Sequence, residues 1–303
     1  MWMWIAGRTH CSRRSGCGWA APRADRGCAL SLEAIIFDVD GTLADTEDIH
    51  RAAFNEAFRD HGLDWHWTRH HYAELLRTTG GKERIATYVS SLALPDSERA
   101  RLLGVIPQLH RHKTLIYTRR VKAGNVALRE GVVRLLEEAQ AAKVRLAIAT
   151  TTSFDNIATL LDSTLGPSAL DRFAVIGAAD QVSRKKPAPD VYRLVLQQLK
   201  TGAEHCVAIE DSANGLASAK AAGLFTIVTP SYWTRDEDFS EADLVLPTLG
   251  SPETPLPDSI AAQLSHQWLG VAQLEHRLAA RNQARRATTA GPASGRPLGG
   301  HEG

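Results

Sequence analysis

From about residue 127 to the mid-240s, short apolar runs alternate with stretches of helical period. Strands are predicted at 144–149, 173–176, 206–209, 226–228 and 244–246, and helices at 131–142, 154–164, 189–199 and 213–222. Pro187 and Pro189 introduce the third of these helices, and Gly223 stops the fourth. Strand–helix alternation with short links implies a parallel sheet covered by helices on both faces. One further strand, at 33–38, precedes this region. Between it and the alternation, residues 46–121 carry helical pattern only. Ala53, Phe54, Ala57, Phe58 and His61 form one apolar face, and further helices are predicted at 68–78, 82–92 and 96–121, with Pro95 at the start of the last. The expectation is an α/β sheet core interrupted after its first strand by an all-helical insert. Residues 251–303 begin Pro-rich, carry one predicted helix near 260–282 and end in a Gly/Ala/Pro tail expected to be disordered.

Composition narrows the classes without choosing among them. A formal charge of +1 on 303 residues gives no general case for nucleic acid or an anionic membrane. No apolar run approaches the ~20 residues that span a bilayer. The opening Met1–Ala6 segment is too short for a signal-peptide apolar region, and its basic residues follow it instead of preceding it. Cys11, Cys17 and Cys28 lack zinc-finger spacing, and Cys206 falls inside an apolar strand, which points to a reducing, cytoplasmic setting. Residues 1–31 are Arg-rich and nearly free of acid, so disorder is the default and a transit peptide an alternative. Both methionines of the chain, Met1 and Met3, lie at its very start. The favoured reading is therefore a true start near Leu30 or Leu32 at a non-ATG codon.

Candidate chemistry collects at the strand ends. Asp38 and Asp40 stand two apart where the first strand closes, so their side chains leave on one face, and Gly41 lets the chain turn behind them. Two co-directed carboxylates are costly to bury without a cation. The strand at 144–149 ends in Thr150, Thr151, Thr152 and Ser153, the loop after the next carries Lys185-Lys186-Pro187, and the strand at 206–209 ends in Glu210-Asp211. In an open parallel sheet, ligands bind at the C-terminal strand ends where strand order reverses. Singly, Asp-x-Asp reads as a turn, Thr150 as a helix cap, Lys186 as a solvated charge and Glu210-Asp211 as a helix cap. Jointly they suit phosphoryl transfer: Asp38 as nucleophile, Asp40 as acid and base, Thr150 and Lys186 on the phosphate, and carboxylates for a hard Mg²⁺ ion. No Walker-type loop, dinucleotide fingerprint or acyl-transfer elbow competes.

The motifs Asp38-Val39-Asp40-Gly41-Thr42, Thr150, Lys186-Pro187 and Glu210-Asp211-Ser212 resemble those of the haloacid dehalogenase-like hydrolases, in order, over about residues 33–230. The resemblance implies a Rossmann-like core (32–45 and 122–250) with the helical insert (46–121) as a cap, the arrangement of the beta-phosphoglucomutase-like branch. It also implies Mg²⁺ on Asp38, the Asp40 carbonyl and Asp211, with Glu210 beside them. The segments Thr42–Glu47 with His50, Thr78–Arg84, and Tyr232-Trp233-Thr234-Arg235 are similar to those of CbbY-like xylulose-1,5-bisphosphate phosphatases. On that likeness Lys82, Arg84 and the flexible Gly80-Gly81 would clamp a second phosphate. Glu47 and His50 would bind sugar hydroxyls, and Thr151, Thr152 and Arg235 would complete the substrate site. The expected protein is a soluble, monomeric, Mg²⁺-dependent phosphatase of a sugar bisphosphate. A sugar phosphomutase of the same branch and a non-catalytic metabolite-binding domain are the alternatives. The insert is rich in His (His61, His66, His70, His71, His110, His112), read as solvated surface, with zinc on His70 and His71 as the other reading.

Overall fold

The computed structural model describes residues 31–124 and 126–289. The disorder expected of the N-terminal extension and of the final tail, and the Cys11, Cys17 and Cys28 readings, lie outside the described residues. Six strands form one parallel sheet: β1 (Ala34–Phe37), β2 (Arg145–Ala149), β3 (Phe173–Gly177), β4 (Cys206–Glu210), β5 (Phe225–Val228) and β6 (Leu244–Val245). Their order across the sheet is β3-β2-β1-β4-β5-β6. The chain therefore builds outward from β1 on one side and returns to pair β4 on the other. The reversal falls between β1 and β4, which makes the ends of these two strands the expected binding crevice. Ile35 and Phe37 point to one face, and Ala34 and Ile36 to the other. Each pair enters a different apolar cluster, so the sheet is buried on both sides as a parallel sheet must be.

Between β1 and β2 lie α1 (Glu47–Asp60), α2 (Arg69–Leu75), α3 (Gly81–Ser91), α4 (Asp96–Lys122) and α5 (Val132–Ala141). The first four form the cap. Its interior is aromatic: Phe54, Phe58, Trp67 and Tyr72 are fully buried and pack at ring separations such as 4.7 Å for Phe58–Trp67 and 4.8 Å for Phe54–Trp67. Rings bury much area per residue, which lets a small helical unit hold a core of its own. The helices α6 (Phe154–Leu165), α7 (Asp190–Leu199) and α8 (Ala213–Ala221) complete the α/β alternation. Cys206 is buried in β4, as its apolar neighbours imply. No helix among the described residues is long and apolar enough to cross a membrane.

The single helix expected near 260–282 is two: α9 (Asp258–Leu264) and α10 (Val271–Thr289). The break lies at Ser265, whose φ is 52°. The intervening segment instead pairs with the core, with Leu269 N donating to the Leu249 carbonyl at 2.9 Å. Leu264, Leu269, Leu274 and Leu278 join the main apolar cluster. The continuous period masks the break because both helices bury leucines on the same core.

Candidate active site

Sheet geometry delivers the core-side residues. Asp38 follows β1 directly, its N–H donating to the Ile209 carbonyl of β4 at 3.0 Å, so β1 stays paired up to the reacting position. Gly41 adopts φ +83°, and a Cβ there would stand 2.0 Å from Asp211 Oδ2. The glycine is thus required twice, for the turn and for the approach of the acid. Lys186 Nζ donates to Asp38 Oδ1 at 2.7 Å and to Glu210 Oε1 at 2.5 Å. Tyr192 also donates to Glu210 Oε1, at 2.5 Å, and Glu210 Oε2 is buried without a partner. Thr150 is buried at the end of β2 and faces the cavity, while Ser153 occupies the N-cap position of α6.

Asp38, Glu210 and Asp211 offer carboxylate oxygens within 4.8 Å of one another, all buried. Burial is the main force pushing the Asp38 carboxyl up to about 7; Lys186 pulls it back, and Glu210 and Asp40 add to the rise. Burial, then Asp38 and Glu210, drive Asp211 well above the usual carboxylate range. Lys186 is held charged: burial opposes its charge, and Asp38 and Glu210 outweigh the burial. Three carboxylates face one ammonium, so the group is short of positive charge, and the orphaned Glu210 oxygen is short of a partner. Oxygen donors with uncompensated charge fit a hard divalent cation.

Asp40 belongs to a second network. It accepts from the Thr46 hydroxyl and from His50 Nε2 at 3.1 Å, and His50 Nδ1 meets Lys113 Nζ at 2.5 Å. A lysine ammonium only donates, which leaves Nδ1 as acceptor and puts the ring proton on Nε2, toward Asp40. Burial alone would raise the Asp40 carboxyl, but His50, Thr46 and Lys113 outweigh it and hold it at about 2. His50 stacks on Tyr117 at 4.1 Å and is pushed below its ordinary value by burial and by Lys113. Burial, reinforced by Arg84, brings Lys113 down to about 7 against the pull of Asp40 and Glu47.

One cavity joins the two walls. Asp38, Asp40, Thr150, Thr151, Thr152, Lys186 and Asp211 line it from the core, and Glu47, His50, Gly80, Gly81, Lys82 and Arg84 from the cap. Glu210 lies beneath the lining, fully buried, as the anchor of Lys186. Three expectations need correction. Arg235 is outside the cavity: its guanidinium lies over the Tyr232 ring at 4.7 Å, with Asp236 at 3.7 Å, and its side chain is 60% exposed. Its neighbour Thr234 turns inward instead, donating to Asp211 Oδ2 at 3.3 Å. The His-rich insert is not uniformly solvated either. His110 lines the cavity, and burial, followed by Lys113, Lys82, His50 and Arg84, drives it down to about 3. His50 also differs from its expected task, since both ring nitrogens are engaged by Asp40 and Lys113 instead of standing free for a sugar hydroxyl. His70 makes an exposed 3.7 Å pair with Glu74, and neither it nor His71 belongs to a metal-ligand group among the described residues.

Lys113, His110 and Thr46 were not expected in the site. A signal existed for two of them. His110 and Lys113 are three apart on α4, hence on one helix face, and Lys113 is four residues from both Leu109 and Tyr117. A lysine inside an apolar stripe is unusual enough to question.

A family profile described as haloacid dehalogenase-like hydrolase matches residues 32–223. Protein CbbY of Rhodobacter capsulatus is 49% identical over 225 residues, covering 74% of this chain and 97% of the relative. The crystal structure of CbbY from Rhodobacter sphaeroides in complex with phosphate superposes with a TM-score of 0.66 at 48% identity, covering 72% of this chain and 94% of that one. A mutant of the same protein in complex with xylulose-(1,5)bisphosphate gives 0.67 at 46% identity, covering 73% and 98%. The family profile spans more than half of the chain, and the similar proteins are matched over nearly their whole length: the chain belongs to the haloacid dehalogenase-like hydrolases, and it is a phosphatase that cleaves phosphoric monoesters.

Proposed function

We propose that the substrate is a sugar bisphosphate, xylulose-1,5-bisphosphate foremost, and that hydrolysis is Mg²⁺-dependent and passes through an aspartyl phosphate on Asp38. The observation that carries this reading is the cavity's two unlike walls. The core wall has the nucleophile and the acidic group, and the cap wall has Lys82, Arg84, His110 and Lys113. A monophosphate needs only the first wall. A second phosphate gives the cap cations an anion of their own, joined by charge-assisted hydrogen bonds. The xylulose-(1,5)bisphosphate complex of the similar CbbY supports the choice of sugar.

In the first half-reaction an Asp38 carboxylate oxygen attacks phosphorus, the P–O bond to the sugar breaks, and the departing alkoxide takes a proton from Asp40. Asp40 is held ionised in the free site, and a phosphate dianion arriving beside it favours its protonated form. In the second half Asp40 takes the proton back from a water that attacks the aspartyl phosphate, which releases inorganic phosphate. The Thr150 hydroxyl and Lys186 bind the transferring group, and the Lys186 charge balances Asp38. Asp38, Asp211 and the Asp40 carbonyl would hold Mg²⁺, with Glu210 beside them; bound there, the ion neutralises charge on the phosphoryl oxygens. The cap excludes water when it closes on the core.

The test is phosphate release from xylulose-1,5-bisphosphate, ribulose-1,5-bisphosphate, fructose-1,6-bisphosphate and glucose 1-phosphate. The first should be strongly preferred, and Asp38→Asn should lower turnover by about 10³-fold or more. Equal rates on all four would refute the sugar assignment, and undiminished turnover in Asp38→Asn would refute the nucleophile.

A further inference from the structure

Tyr72 of α2 does not face the cavity, yet it touches two residues that do. Its ring is fully buried, set edge-on against Trp233 of the core at 5.6 Å and flanked by Trp67 at 5.9 Å and Phe54 at 6.3 Å. Its hydroxyl accepts from Arg84 Nη1 at 2.9 Å and donates to Glu47 Oε2 at 2.7 Å. These directions are forced: a guanidinium has no acceptor, so the single phenolic proton goes to the carboxylate. Arg84 Nε is occupied by the Leu75 carbonyl at 3.2 Å. Among the described residues no ion pair joins Arg84 to Glu47, although both reach the same oxygen.

We infer that Tyr72 is a positioning residue for the cap-side grip: its hydroxyl keeps Arg84 and Glu47 apart, so that the guanidinium stays available to the second phosphate and the carboxylate to a sugar hydroxyl. This rests on the bisphosphate reading above. Opposite charges in a poorly hydrated site attract strongly, and among the described residues no other hydrogen-bonding group bridges these two. If they closed on each other, the cation would be neutralised before substrate arrived. Ring packing fixes where the hydroxyl stands, because an aromatic side chain held on several sides has no other rotamer to adopt. Burial, assisted by Glu47 and opposed by Arg84, keeps the phenol protonated far above neutral pH, so the bridge keeps its polarity.

The test is Tyr72→Phe, which deletes one oxygen and keeps the ring, assayed with xylulose-1,5-bisphosphate and with glucose 1-phosphate. KM for the bisphosphate should rise about tenfold, with kcat and the monophosphate KM within about twofold. Arg84→Ala should show the same selectivity, and Tyr72→Phe added to it should cost nothing more. In a Glu47→Gln background, where no carboxylate attracts Arg84, Tyr72→Phe should have little effect on KM. A merely structural tyrosine would lower the melting temperature and change both substrates alike, and that result overturns the inference. If Arg84→Ala is selective for the bisphosphate and Tyr72→Phe is not, the role of Tyr72 fails while the bisphosphate reading stands. If Arg84→Ala affects both substrates equally, it is the bisphosphate grip that fails. Should Tyr72→Phe not fold, Glu47→Gln and Arg84→Ala are compared singly and together. With Tyr72 in place the two groups act separately, so their KM changes should add, and strongly non-additive ones overturn the inference.

Discussion

The two walls of the cavity solve opposite electrostatic problems by opposite means. The core wall gathers Asp38, Glu210 and Asp211 on strand ends fixed by the sheet ladder, with Lys186 as the ammonium paired to Asp38 and Glu210. The cap wall gathers Lys82, Arg84, His110 and Lys113 on two helices, with Glu47 and Glu83 as its lining carboxylates. Burial, reinforced by neighbouring negative charge, raises Asp38 and Asp211 on the first wall; burial, reinforced by neighbouring positive charge, lowers Lys113 and His110 on the second. On both walls, burial and like charge disfavour the ionised groups, and a ligand of the opposite sign would offset that cost. On the function proposed above, stability is given up at the two places that would hold the substrate, a common trade at sites built to act on a ligand.

The largest effect that could break this comparison is expected at the core wall. Mg²⁺ at about 100 times its dissociation constant should stabilise the protein by about 3 kcal/mol, read as a rise in melting temperature. Asp211→Asn should lose most of that rise. Without metal it should melt no lower than the native protein, because the change removes a carboxylate charge that burial, and then Asp38 and Glu210, disfavour. An unaltered Mg²⁺ response would remove Asp211 from the cation site.

The cap wall gives a smaller effect with a defined pH sign. Lys113 is lowered from its ordinary 10.5 to about 7. Between those values the unfolded chain keeps a proton that the folded one has lost, so stability rises with pH across that window. Below about 7 the buried ammonium is carried at full cost. Lys113→Met removes the cost and leaves His50 Nδ1 without a donor, a loss of about 1 kcal/mol. The net should be a gain of about 2 kcal/mol in urea denaturation at pH 6, shrinking as pH approaches 10. Turnover should fall at the same time, since Asp40 loses the network that holds it ionised. A variant less stable at pH 6 than at pH 9 relative to the native protein would reverse the sign and sink this account of the wall.

The smallest effect sharpens the boundary of the cap-side site. Arg235→Ala should leave the KM for the bisphosphate within about twofold and stability within about 0.5 kcal/mol, because its partners are a half-exposed ring and an exposed acid. A large rise in KM would mean that Arg235 swings into the cavity with substrate.

The difference between the walls is also a difference in what could be read beforehand. Asp38, Thr150 and Glu210-Asp211 each end an apolar run, so strand period and the rule for ligand sites in parallel sheets were enough to bring them together. Lys186 lies farther on, in the loop after β3, and the same rule for strand ends brings that loop to the rim. The cap offered no such rule. Lys82 and Arg84 were legible only through a motif, and the same kind of likeness misplaced Arg235. His110 and Lys113 sit near the middle of the 27-residue α4 among charges that look solvated. Tyr72 gave no signal of its own in the sequence, since its ring is an ordinary core aromatic and only the position of its oxygen sets it apart.

Sequence alone determined the order of strands and helices, the place of the helical insert and the acidic rim of the core, because these follow from local periodicity and from a sheet that must be parallel. The tertiary structure decided which cap side chains face that rim, where the C-terminal helices break, and that Thr46, His50 and Lys113 converge on Asp40. Those outcomes depend on how helices distant in the chain pack and on which charges that packing removes from water, and no local pattern encodes either.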